Sequence, residues 1–384
     1  MALTYFADFW YSLESCLTCF QSPTLKINRR NFKIVKLLGE GGFSYVYLVQ
    51  ASSGELYAMK KIRCPFGQES VRNALREIEA YKLFDSPHII KAIDSTVVQE
   101  PDGSKTVYII LPYFPRGNLQ DIIDSNLVNG NHIPEPELLT LFLGVCQGVR
   151  AMHKHVMKNG GARVSGSRPN LETRPYDTNS SEQQLLEARS SFVLDDEISV
   201  MTGGDDEDDD INMDLEEDLN STALGTVVPY AHRDIKPANV MLDAAGQPVL
   251  MDLGSTARAR VSLPTRQSAL QLQDLAAELC TLPYRAPELF YVTTDSTIDE
   301  RVDVWSLGCT LFALMYQSSP FELQAAESGA SLNMAISSGE FKFPNTPAYS
   351  EELKEVVRKC LTVDPKQRPY IDEIITRVEN LIHS

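Results

Sequence analysis

No stretch of about 18 consecutive apolar residues occurs in the 384-residue chain, so it offers no candidate for a membrane-spanning helix. The N-terminus lacks the basic region and cleavage pattern of a secretory signal. Positive charge is in short supply: 35 Lys and Arg face 52 Asp and Glu, a net charge of −17. Phosphate backbones repel such a protein, which argues against nucleic acid as its main partner. Cysteine is scarce and scattered. Of seven, only Cys16 and Cys19 are near neighbours; the other five stand singly, the pattern of reduced cytosolic thiols and not of a disulfide framework. There is no internal repeat with a period of roughly 20–50 residues. What remains is 43% hydrophobic and 23% charged, ordinary for a globular chain long enough to bury a large core.

The charge is unevenly spread. Between Val156 and Val228 there are 17 Asp and Glu against five Lys and Arg, a net of −12 that leaves about −5 for the rest. The densest part runs DDEDDDINMDLEED, from Asp205 to Asp218. Such a segment cannot bury enough surface to offset its chain entropy, and residues 155–228 are expected to be a disordered, solvated insert. It is either an inert loop or a segment that recruits basic partners, repels acidic ligands or carries modification sites.

Five short motifs carry chemistry. Gly39-Glu40-Gly41-Gly42-Phe43-Ser44-Tyr45-Val46 lies between two apolar stretches. That reads as a β-hairpin whose glycines let backbone N–H groups approach phosphate oxygens. Next, Tyr57-Ala58-Met59-Lys60 reads as a strand ending in lysine. Taken alone, Lys60 fits a snorkelling surface side chain; inside the sheet it needs partners, a triphosphate and a carboxylate. Glu77 is the candidate for the latter, with Glu79, about 200° around the same helix, as the alternative.

His232-Arg233-Asp234-Ile235-Lys236-Pro237-Ala238-Asn239 is far more specific. Asp234 can orient a hydroxyl and accept its proton, Lys236 can steady a transferring phosphoryl group, and Asn239 can bind a metal through its amide oxygen. Asp252-Leu253-Gly254 follows an apolar strand and places a carboxylate where it suits a magnesium ligand. Ala286-Pro287-Glu288 comes 34 residues after Asp252.

In this order the motifs resemble those of the eukaryotic protein kinases, over residues 28–384 with the insert 155–228 set aside. The resemblance implies an α+β, bilobal protein kinase fold: a small antiparallel-sheet N-lobe with one major helix, then a larger, mainly helical C-lobe. It implies ATP and Mg2+ as cofactors and protein Ser/Thr hydroxyls as acceptors, since Lys236 sits in the pattern of the serine/threonine enzymes. It also implies that Leu111 gates the adenine pocket, and that Pro112, Tyr113 and Phe114 form the hinge, with Ala58 and Val46 beside the nucleotide. Asp303 would brace the catalytic loop, Arg368 would pair with Glu288, and Thr281 would contact the catalytic Asp234 and Lys236. Arg233 implies control by a phosphorylated activation segment, with Ser255, Thr256, Ser262, Thr265, Ser268 and Thr281 as candidates. A catalytically weak scaffold working through its acidic insert is the rival, but the lysine and both aspartates that such proteins lose are present.

Ser44 in place of a third loop glycine, the DLGS sequence, and a helical stretch in ALQLQDLAAELCTLPYRAPELF resemble the Numb-associated kinase family. The likeness is to its myristoylated and palmitoylated branch and the fungal vacuolar-membrane member. Residue 2 is alanine, so the glycine for myristoylation is missing. In residues 1–27, Leu3, Phe6, Trp10, Leu13, Leu17 and Phe20 recur at helical spacing. Cys16 and Cys19 are candidates for palmitoylation, which would hold the protein to the cytoplasmic face of an endomembrane, the vacuole favoured. Packing of the aromatic stripe on the kinase domain competes with that reading. Zinc does so weakly, since no second Cys/His pair lies near.

Overall fold

β-Branched and aromatic residues dominate the first part of the chain and build an antiparallel sheet. The computed structural model describes residues 24–65, 67–100, 102–156 and 225–384. The sheet has six strands in the order β1-β2-β3-β4-β6-β5. They are β1 (Thr24–Ile27), β2 (Arg30–Gly41), β3 (Ser44–Ala51), β4 (Leu56–Cys64), β5 (Asp94–Gln99) and β6 (Lys105–Pro112). One face buries Phe32, Val49, Met59 and Ile110 in a small core of its own. The other receives α1 (Gly67–Leu83), the only long helix of this lobe among the described residues, whose Ala74, Ile78 and Tyr81 join the main core.

The second lobe is mainly helical. It contains α2 (Leu119–Asn129), α3 (Glu135–His153), α4 (Arg266–Leu279), α5 (Arg301–Tyr316), α6 (Pro320–Ser328), α7 (Leu332–Ser338), α8 (Glu351–Cys360) and α9 (Ile371–His383). Asn118 caps α2 through a reciprocal box with Asp121, and the left-handed Gly130 ends it. Helix α5 has no polar face: every residue after Arg301 is buried, as expected of a helix enclosed on all sides. Its Trp305 stacks on Phe321 with ring centroids 5.2 Å apart. Gly308 lets it approach α8, since a Cβ there would lie 2.6 Å from that of Cys360.

Short strands frame the cleft between the lobes: β7 (Tyr230–Ala231), β8 (Val240–Leu242), β9 (Pro248–Leu250), β10 (Ala257–Arg258), β11 (Val261–Leu263) and β12 (Ser296–Ile298). β8 and β9 form a hairpin, and β10 pairs with β7. The expected α+β, two-part kinase architecture is thus present. The expected insert is described only at its ends. There the Val228 N–H donates to the His155 carbonyl at 2.8 Å, and Val156 pairs with Val227. Residues 157–224 lie outside the described residues, as do residues 1–23 with Cys16 and Cys19.

One local expectation needs correction. Lys60 does not end its strand; β4 continues to Cys64, because residues 61–64 keep pairing with Tyr108 to Lys105 of β6.

Candidate active site

The glycine motif forms the expected turn. β2 ends at Gly41 and β3 begins at Ser44, which pair with each other, while Gly39 pairs with Val46 and Glu40 with Tyr45. Phe43 projects at the tip, 59% exposed. Across the sheet Val46 pairs with Lys60, Ala58 with Leu111 and Tyr57 with Pro112, so the residues assigned to the nucleotide lie on adjoining strands. Leu111 is buried, and Phe114 packs against the main core just beyond β6.

Lys60 Nζ lies 2.6 Å from Glu77 Oε1 and 2.9 Å from Asp252 Oδ1, a residue 192 positions later. Burial alone would lower the lysine's pKa; the two carboxylates outweigh it and hold the group above its ordinary value. Burial would likewise raise the Asp252 pKa, but Lys60 reverses this and keeps it below the carboxylate range. Glu79, the alternative partner, instead meets Lys82 in solvent at 2.8 Å.

The loop from His232 to Asn239 is held by one buried carboxylate. Asp303 accepts the backbone N–H of His232 and of Arg233, each at 2.8 Å, and the His153 ring nitrogen at 3.0 Å. The Asp234 N–H reaches His232 Nδ1 at 3.3 Å, so that nitrogen accepts and Nε2 donates to the Met251 carbonyl at 2.9 Å. Ser255 Oγ donates to the His232 carbonyl at 2.7 Å. These bonds fasten the strand end that carries Asp252 to the loop that carries Asp234. Arg233 and Asp252 both adopt left-handed backbone, with φ of 67° and 57°. Such conformations are costly for non-glycine residues and persist where the surroundings impose them.

Asp234 is surrounded by donors. Thr281 N–H lies 2.9 Å from Oδ1; Lys236 Nζ at 2.8 Å and Asn239 Nδ2 at 2.9 Å meet Oδ2. Lys236 also donates to Thr281 Oγ1 at 2.6 Å. Because the amide nitrogen of Asn239 is turned toward Asp234, its oxygen is the atom left for a cation. Among the described residues no group of three or more His, Cys, Asp or Glu could hold a metal unaided. One amide oxygen and one carboxylate suit an ion that arrives with phosphate oxygens and water, as a hard divalent cation does.

Arg233 reaches the segment between Asp252 and Glu288. Its buried guanidinium donates to the Arg258 carbonyl at 3.0 Å, and burial lowers its pKa. Ser255, named as a phosphorylation candidate, is buried and bonded to the His232 carbonyl. The expected pair of Glu288 and Arg368 is bidentate, at 2.7 and 3.0 Å, with Arg368 buried and also bonded to three backbone carbonyls.

Motif matching missed two residues. Tyr81, buried on α1, donates its hydroxyl to Glu77 Oε1 at 2.8 Å. His153 closes α3 and supports Asp303. The spacing of four between Glu77 and Tyr81 was the available signal, since such residues share a helix face.

Comparison with known proteins agrees with this geometry. A model of the protein kinase domain matches residues 32–157 and 229–378, leaving the acidic segment between them unmatched. The serine/threonine-protein kinase ENV7 of Saccharomyces cerevisiae is 39% identical over 95% of this chain and 96% of its own length. The serine/threonine-protein kinase ppk13 of Schizosaccharomyces pombe is 34% identical over 94% and 93%. Human serine/threonine-protein kinase 16 is 33% identical over 93% and 92%. With the domain model spanning both lobes on either side of the insert, and relatives aligned almost from end to end, the chain belongs to the protein kinase family.

Proposed function

We propose that this enzyme transfers the γ-phosphoryl group of ATP to Ser and Thr hydroxyls of proteins. The observation that carries the reading is the triangle of Asp234, Lys236 and Thr281, which sets a carboxylate and a cation where an incoming hydroxyl would lie. The relatives aligned over nearly their whole length are named serine/threonine kinases.

In this reading the hydroxyl oxygen attacks the γ-phosphorus while the bond to the β-phosphate oxygen breaks and ADP leaves. Asp234 orients the hydroxyl and takes its proton; Lys236 neutralises charge on the moving group. Lys60, steadied by Glu77, holds the α- and β-phosphates beneath the turn at Gly39, Gly41 and Gly42. Asn239 and Asp252 would hold the divalent ion, Mg2+, which would supply neutralisation of phosphate charge. Leu111, Pro112 and Phe114 border the adenine. Catalysis is then mostly positioning and charge neutralisation. The test is phosphate transfer from labelled ATP by the purified chain. Asp252→Asn should abolish it while the fold, followed by circular dichroism, survives; wild-type rates from that variant would overturn the metal assignment.

The finer placement is in the Numb-associated kinases, at the cytoplasmic face of an endomembrane such as the vacuole, in trafficking or fusion. It rests on Ser44, on the activation-segment helix α4, and on Cys16 and Cys19 as candidates for palmitoylation, two acyl chains giving stable anchorage where one does not. No helix among the described residues is long and apolar enough to cross a membrane, so attachment would be peripheral. Changing both cysteines to serine should move the protein to the soluble fraction; unchanged pelleting would count against lipid anchorage.

A further inference from the structure

An acidic protein carries one basic strip. Between Lys26 and Gly39 there are five cations, Lys26, Arg29, Arg30, Lys33 and Lys36, and no acidic residue, in a chain whose net charge is −17. All five are exposed, and they lie together on the β1–β2 hairpin at the edge of the six-stranded sheet. None forms an ion pair with another described residue; the influence of Arg30 on Glu55 is a longer-range one. Val35 and Leu37, 49% and 48% exposed, stand in the same strand.

We propose that this hairpin is a docking surface for an anionic lipid bilayer. Lys33 and Lys36 pair with Gln50 and Leu48 on one face of the sheet, while Leu37 pairs with Tyr47 on the other, so it is the charged face of the hairpin that matches the phosphates of a headgroup layer. A purely acidic peptide, such as the segment from Asp205 to Asp218, would satisfy the cations but leave the exposed Val35 in water. The hairpin is also where the N-terminal residues join the fold: Thr24 pairs with Lys33. Chain that reaches a membrane from there brings the hairpin with it. At a strand rise of about 3.3 Å per residue, Lys33 stands roughly 20 Å from Gly39 and Lys36 roughly 10 Å, so a bilayer that meets the hairpin at its β1 end leaves the phosphate-binding turn clear.

The inference deepens the peripheral-membrane reading but does not depend on acylation, and the experiment keeps the two apart. Full-length Cys16→Ser/Cys19→Ser protein is sedimented with phosphatidylcholine vesicles and with vesicles in which roughly one lipid in three is phosphatidylserine. Binding should appear only on the anionic vesicles and fall steeply with added salt. Replacing Lys26, Arg29, Arg30, Lys33 and Lys36 with glutamine should lower that binding by about three thousandfold, at about fivefold per cation. A milder Arg29→Gln/Arg30→Gln protein should lose about twenty-fold. Autophosphorylation in solution, unchanged in both, shows that they fold. Equal binding to neutral vesicles overturns the proposal, as does undiminished binding of the glutamine variants. Either result would assign the strip to the chain's own acidic segment or to solvent.

Discussion

The hydroxyl of Tyr81 donates to the same oxygen of Glu77 that meets Lys60, with distances of 2.8 Å and 2.6 Å. One buried phenol on helix α1 thus steadies the glutamate that holds Lys60. Burial first, then the neighbouring Glu77 charge, keeps it protonated far above the ordinary tyrosine range.

Tyr81→Phe should therefore lower kcat/KM for ATP by about tenfold, since a hydrogen bond to a charged partner contributes about 1.5–3 kcal/mol. The expected loss falls on phosphate positioning, so steady-state kinetics with varied ATP should show it while the melting temperature changes little. Unchanged kinetics would make Tyr81 a packing residue only.

Thr281 holds Asp234 through its backbone and Lys236 through its hydroxyl. Thr281→Val keeps the first bond and removes the second. Its kcat should fall by about one order of magnitude, in line with loss of a bond to a charged group. Thr281→Ser should retain most activity, and a rate assay on the pair distinguishes lost chemistry from lost shape.

Gly308 has no room for a methyl group. A Cβ would lie 2.6 Å from Cys360 Cβ and 2.9 Å from Leu361 Cδ2, both in the packed core. Gly308→Ala should cost about 1–3 kcal/mol, the usual range for overpacking. Urea unfolding of the purified variant measures it.

Asp303 gives the fold an acid dependence. Burial would raise its pKa, but the hydrogen bond from His153, with nearby positive charge and backbone donors, holds it below the ordinary 3.8. A depressed carboxylate contributes stability that is fully present above its unfolded pKa and is lost as pH falls through the folded value. Melting temperatures should drop below about pH 4. Asp303→Asn, which cannot ionise and leaves two backbone N–H groups less well served, should be less stable at neutral pH and show a shallower decline on acidification.

Much of the fold and site was legible because local chemistry demanded it. The glycines between two apolar stretches have only one use at a tight turn, and the hairpin formed where they lie. Helix α4 lies where the family resemblance placed a helical stretch, and a reciprocal Thr265–Ser268 box caps its start. The order of the motifs carried the two-lobed architecture. Less legible were features set by distant chain: Lys60 lies mid-strand because β6 continues to pair with residues 61–64, and Arg233 meets the Arg258 carbonyl because β10 folds back onto β7.

By itself the sequence determined which side chains exist to hold phosphates, a metal and a hydroxyl, and in what order the chain presents them. Spacing along a strand or helix is local geometry, so those features follow from residue type. Tertiary structure alone decided that Glu77 and not Glu79 faces Lys60, and that Asp252 returns across 192 residues to meet the same lysine. It also decided that Asp303 gathers two backbone amides of the catalytic loop. Those choices depend on which face of α1 the sheet buries and on how the second lobe packs around α5, neither of which any short stretch of chain encodes.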